Sequence, residues 1–162
     1  MVRDSDHVPI RALARRRQVR KNGHMQITGA FLAQHAEIVD QKLNVTGGVL
    51  DWIGAPRAGQ VDEWGNPIVA TYFLVTLMQA GPDDHQKPYR MTTEAAHADG
   101  TNRFLAEATI SVDAQIGENR FIVQRFGVNT EMSGRNVLVQ TIDGGGSVAL
   151  PVEVRVVDTH PS

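Results

Sequence analysis

The stretch Gln26–Ile53, QITGAFLAQHAEIVDQKLNVTGGVLDWI, decides the fold. Two runs with strand character meet at Asp40-Gln41-Lys42, and the whole reads as the opening hairpin of an all-β domain. Within the first run, Gln26–Val39, the Ala, Leu, Gln and Glu of Ala30–Val39 favour helix by propensity, but the β pattern on either side assigns it to a strand. The second run is Lys42–Ile53. Neither carries a recognisable catalytic motif.

The same pattern continues to the end of the chain. Short runs rich in Val, Ile, Thr, Phe and Tyr alternate with Gly, Pro, Asn and Asp clusters, predicting further strands at Ile68–Gln79, Tyr89–Ala98, Phe104–Val112, Arg120–Val128, Asn136–Ile142 and Ser147–Val157. In the third strand Val69, Phe73, Val75 and Leu77 share a face, which is expected to be core. In the fifth, Phe104, Ala106, Ala108, Ile110 and Val112 are expected to be buried. Asp99-Gly100 marks a hairpin turn, and Gly144-Gly145-Gly146 a loop in which positive φ carries no Cβ penalty. Pro151 cannot donate to a ladder and so predicts an edge or a bulge in the last strand. About eight strands bury their apolar faces most simply as one antiparallel β-sandwich, the immunoglobulin-like arrangement being one form.

The chain of 162 residues is long enough for one such domain, placed at residues 25–158, with a basic extension at 1–24 and a short tail at 159–162. The overall net charge of −2 conceals an asymmetry. Residues 1–24 carry seven basic residues against two acidic, a net of +5, and the rest of the chain nine against sixteen, a net of −7. The extension is expected to be disordered or partly helical, and Met25, at its border, could serve as the physiological start in place of Met1. With no cysteine there is no disulfide scaffold, thiolate metal site or cysteine nucleophile. No apolar run approaches the roughly 20 residues of a membrane-spanning helix, and the segment after Arg15-Arg16-Arg17 lacks the apolar stretch of an export signal. A cytoplasmic protein is the expectation.

Two parts of the sequence resemble an uncharacterised bacterial family of small all-β proteins, a domain of unknown function. They are Gln34–Ile53, with Lys42-Leu43, Gly47-Gly48 and Asp51 as its clearest motif, and Asn136–Val157, a strand, a glycine turn and a Leu-Pro-plus-valine strand. Gln41 stands where that family's turn glycine is usual. The resemblance implies one all-β domain from Met25 to Val157 and brings no catalytic residue with it.

Candidate chemistry is sparse. No two histidines stand at i, i+2, there is no His-Glu-x-x-His, and no serine sits in a G-x-S-x-G elbow. Asp83-Asp84-His85 offers oxygen and imidazole donors for a metal, but is read more simply as a solvated turn. Asp62-Glu63 and Asp83-Asp84 lack the spacing of a calcium loop. No cofactor and no metal are expected.

The expectation for function is a non-catalytic binding or assembly module, acting through a strand edge or a loop end on a protein partner or a second copy. The favoured surface is Trp52, Arg57 and Trp64, an aromatic pair flanking a loop. One alternative is an enzyme assembled from the distant residues His35, His97 and Glu107. Another is nucleic-acid binding through the basic arm at 1–24.

Overall fold

In the computed structural model, which describes residues 25–113 and 119–158, the chain forms nine strands in two sheets. They are β1 Gln26–Val39, β2 Lys42–Gly48, β3 Trp52–Pro56, β4 Ala70–Gln79, β5 Tyr89–His97, β6 Asn102–Ile110, β7 Asn119–Val128, β8 Gly134–Ile142 and β9 Gly146–Val157. One sheet has the order β2-β1-β4-β7 and the other β3-β9-β8-β5-β6. Side chains from both meet in a shared interior, so the all-β sandwich expected from the sequence is the fold. The basic extension and the tail at 159–162 lie outside the described residues.

The predicted second strand divides. After Gly48 the chain leaves the first sheet, the Leu50 amide donates to the Leu32 carbonyl at 3.0 Å, and β3 enters the second sheet parallel to β9. The other ladders between these nine strands are antiparallel. Pro151 precedes the stretch Glu153–Val157 that β3 covers, so its missing N–H falls where β9 still has an open side.

The inward faces of β4 and β6 differ from expectation. On β4 the interior face is Leu74, Thr76 and Met78, all buried, while Val69 and Leu77 are exposed. Val75 is also fully buried, because β4 is flanked by β1 and β7 and Phe31 and Val123 stand beside Val75 on the outer face. On β6 a bulge opposite Thr93/Glu94 inserts Leu105 between residues paired with β5. Leu105 packs on the core, and Phe104 is left 59% exposed instead of buried.

Two apolar clusters fill the interior. One gathers Leu32, Ile53, Leu74, Val128, Leu138 and Val154; the other gathers Met25, Met78, Tyr89, Met91 and Ile142. Between them runs a belt of polar side chains, one from each of four strands. Thr76 separates Leu74 from Met78, Thr93 separates Ala95 from Met91, and Gln140 separates Leu138 from Ile142. Gln124 on β7 separates Phe126 and Ile122 in the same way. The Thr76 hydroxyl donates to Gln140 Oε1, and Gln140 Nε2 donates to Thr93 Oγ1 at 3.3 Å and to Gln124 Oε1 at 3.0 Å. Thr93 Oγ1 in turn donates to Gln124 Oε1 at 3.0 Å. A buried polar group is tolerable only when paired, and here each pairs with another across the two sheets.

Gly145 supports the same end of the sandwich as the second cluster. A Cβ there would run into the Met25 carbonyl, so the middle glycine of the loop is required by close approach, while Gly144 and Gly146 take φ of 72° and 84°.

Replacing Gln140 by Leu leaves Thr76 without its belt partner and removes one bond each from Thr93 and Gln124, and should destabilise the fold by about 2–3 kcal/mol. Combined with Thr76→Val, the loss should be smaller than the sum of the single changes by about 0.5–1 kcal/mol. Urea denaturation of the four proteins in the cycle measures both quantities.

Candidate functional site

The opening hairpin projects from the sandwich. Asp40 and Gln41, with φ of 50° and 61°, form a two-residue turn closing the Val39↔Lys42 pair, the geometry that matches strand twist. Ala36 is the last buried residue of β1; beyond it Ile38 and Val39 are 56% and 45% exposed, and Val45 opposite Ala36 is exposed as well. Two consecutive apolar residues point to opposite faces of a strand, so both faces of the hairpin present hydrocarbon. In a two-residue hairpin the closing pair is hydrogen-bonded, as are Glu37↔Asn44 and His35↔Thr46 two and four residues on. The backbone groups of Leu43, Val45 and Gly47 therefore face the outer edge of β2, where the sheet order ends among the described residues.

The edge of β3 is different. Because the Glu153 amide donates to the Asp51 carbonyl at 3.1 Å, residues 52, 54 and 56 present their backbone groups outward. At Gly54 both are taken by Tyr72: its hydroxyl accepts from the amide at 2.8 Å and donates to the carbonyl at 3.2 Å. Pro56 has no N–H. This edge is closed to strand addition.

Of the residues expected to form a binding surface, Trp52 lies on that edge and Arg57 directly follows it, each with a side-chain partner. Trp52 is 47% exposed on β3, with the Arg155 guanidinium 4.9 Å above its ring; Arg155 also pairs with Glu153 at 2.8 Å. Arg57 pairs with Asp158 at 3.0 Å. Trp64, 77% exposed, stands on the loop that the Val61↔Pro67 bridge closes. There Asp62 accepts from the amides of Trp64 at 2.9 Å and Asn66 at 2.8 Å, and the bonds from Asn66 chiefly hold its carboxyl below the usual value. No ring contact joins Trp52 to Trp64 among the described residues.

His35, His97 and Glu107 are not brought together. His35, on the four-stranded sheet, meets Phe73 edge-on at 5.2 Å and lies 3.8 Å from Glu37. His97, at the end of β5, donates from Nε2 to the Ser133 carbonyl at 2.9 Å and pairs with Asp99 at 3.0 Å. The Ser133 bond and then Asp99 raise its pKa, while bonds from Thr101 and His97 bring the Asp99 carboxyl down to about 2. Glu107, on β6, forms an ion pair with Arg90 at 2.6 Å.

Asp84 corrects the reading of Asp83-Asp84-His85 as a solvated turn. It is fully buried, accepting from the Met25 amide at 3.1 Å, the Gly81 amide at 2.6 Å and the Tyr89 hydroxyl. It clasps the start of β1 to the start of β5. Its local sequence gave no sign of this, because the Met25 amide lies 59 residues away and Gly81 and Tyr89 meet the carboxylate only through the turn between them. Among the described residues no group of three His, Cys, Asp or Glu is arranged to hold a metal ion, and no helix is long and apolar enough to cross a membrane. The consecutive Ile38-Val39 pair is the sequence signal of the hairpin's exposure on both faces.

No protein-family model matches the chain, and no curated protein matches it. Among solved structures it is similar to the Pseudomonas fluorescens alkylpurine DNA glycosylase AlkC bound to DNA containing an abasic site analog, at 11% identity and a TM-score of 0.42. The match covers 81% of this chain and 31% of the glycosylase chain.

Burial, and then the bond to Asp84, push the Tyr89 phenol up to about 12 from the ordinary 10.0. A raised pKa means that the unfolded chain loses this proton first as pH rises, so the contribution is complete below about pH 10 and is lost between about 10 and 12. Tyr89→Phe should flatten that alkaline decline in urea midpoint. Asp84→Asn should lower stability at neutral pH by about 2 kcal/mol, through loss of charge-assisted bonds.

Proposed function

We propose that this chain is a non-catalytic binding and assembly module that adds a strand at the free edge of β2, the partner being a second copy of the same chain. The observation that carries this reading is the contrast between two edges: β3 is capped by Tyr72 and Pro56, whereas β2 projects with backbone groups that find no partner among the described residues and with exposed Ile38, Val39 and Val45. Antiparallel addition about a two-fold axis sets the same strand on both sides, so the edge needs no other partner of matching sequence. Pairing would satisfy the outward amides of Leu43 and Val45 and cover hydrocarbon now facing water. The separate partners of His35, His97 and Glu107 favour this reading over an enzyme built from those three.

Light scattering over a range of protein concentrations tests it. A dimer that forms as concentration rises is expected, and a monomer at every concentration would overturn the proposal. Val45→Pro removes an edge donor without touching a β1–β2 bond, and Val45→Lys charges the interface. Each should weaken association about tenfold or more, roughly 1.4 kcal/mol, with the thermal midpoint of the monomer little changed.

A further inference from the structure

The two sheets part where their edge strands β6 and β7 face each other, and a cavity of about 230 Å³ opens between them. Its walls are Leu74, Leu105, Ala106, Phe126 and Leu138, and at its inner end lie Thr93 and Gln124 of the polar belt. The β6 bulge shapes it, because the extra residue Leu105 turns inward while Phe104 faces solvent. A cavity of about 150 Å³ is large enough for benzene, so this one admits a ring or short chain with a small polar arm.

The belt fixes what that arm would meet. Its hydrogen bonds run in one direction, from Thr76 to Gln140 and on to Gln124, where Thr93 and Gln140 both donate to Oε1. That oxygen is fully occupied, and the two N–H groups of Gln124 Nε2 take no part in the belt. The end of the network bordering the cavity is thus a donor that calls for an acceptor. The neighbouring residue Arg125 also lines the cavity, is exposed, and makes no ion pair among the described residues. Apolar walls with a few convergent polar groups are the usual composition of a small-molecule site.

We infer that this cavity binds a small amphipathic carboxylic acid, its hydrocarbon body among Leu74, Leu105, Phe126 and Leu138 and its carboxylate accepting from Gln124 Nε2 beside Arg125. This is independent of assembly at β2. Phenylacetate serves as the probe, titrated calorimetrically and by amide-shift NMR on the full chain, with phenylacetamide as the uncharged control. The expected result is saturable binding of the acid, shifts centred on Leu105, Phe126 and Leu138, and an amide about tenfold or more weaker. Ala106→Phe, which fills the cavity, should abolish binding. Arg125→Ala, at an exposed position that leaves the core intact, should weaken it about tenfold. Absence of saturable binding, equal affinity for acid and amide, or an unchanged affinity in Arg125→Ala would each overturn the inference.

Discussion

The hydrogen-bonded belt of Thr76, Thr93, Gln124 and Gln140 is the constraint on which the rest of the structure depends. Four strands from two sheets each interrupt an apolar inward face with one polar side chain, and those four side chains meet. A hydrophobic interior alone is non-directional and would tolerate a sheet sliding over its neighbour. A belt whose members leave an unsatisfied group when displaced does not, since each such group costs about 1–3 kcal/mol. The belt therefore sets the relative placement of β4 and β7 against β5 and β8, and divides the core into two clusters.

A second clasp acts at one end. Asp84 holds the Met25 amide and the Tyr89 hydroxyl, and Gly145 lets the loop before β9 approach the Met25 carbonyl. The start of β1 is thereby fixed, while its far end continues past Ala36 into solvent as the hairpin. One strand belongs at one end to the core and at the other to the surface. This is why the proposed assembly site can change without disturbing the interior that supports it.

The strand edges are treated unequally, and that inequality gives the surface its character. A tyrosine reaching from the other sheet and a proline close β3, whereas β2 carries only the charge of Lys42 at its turn end. Of the two tryptophans, Trp52 lies on the closed edge and Trp64 on the loop that follows it. Ile38 and Val39, the most exposed apolar residues of the hairpin, stand as a consecutive pair at the end of a run that otherwise reads as ordinary strand.

The sequence by itself determined that the protein is all-β, roughly where its strands and turns lie, and that certain turns need glycine, because period-two alternation and turn chemistry are local. It did not determine that Lys42–Ile53 serves two sheets, that β4 turns Leu74, Thr76 and Met78 inward, that a bulge expels Phe104, or that Asp84 is buried. Alternation states which residues share a face, but not which face meets another sheet. That choice is made by contacts between residues far apart in the chain, such as Thr76 with Gln140 and Met25 with Asp84. Only the tertiary structure brings those pairs together, and with them the belt, the cavity beside it and the free edge of β2.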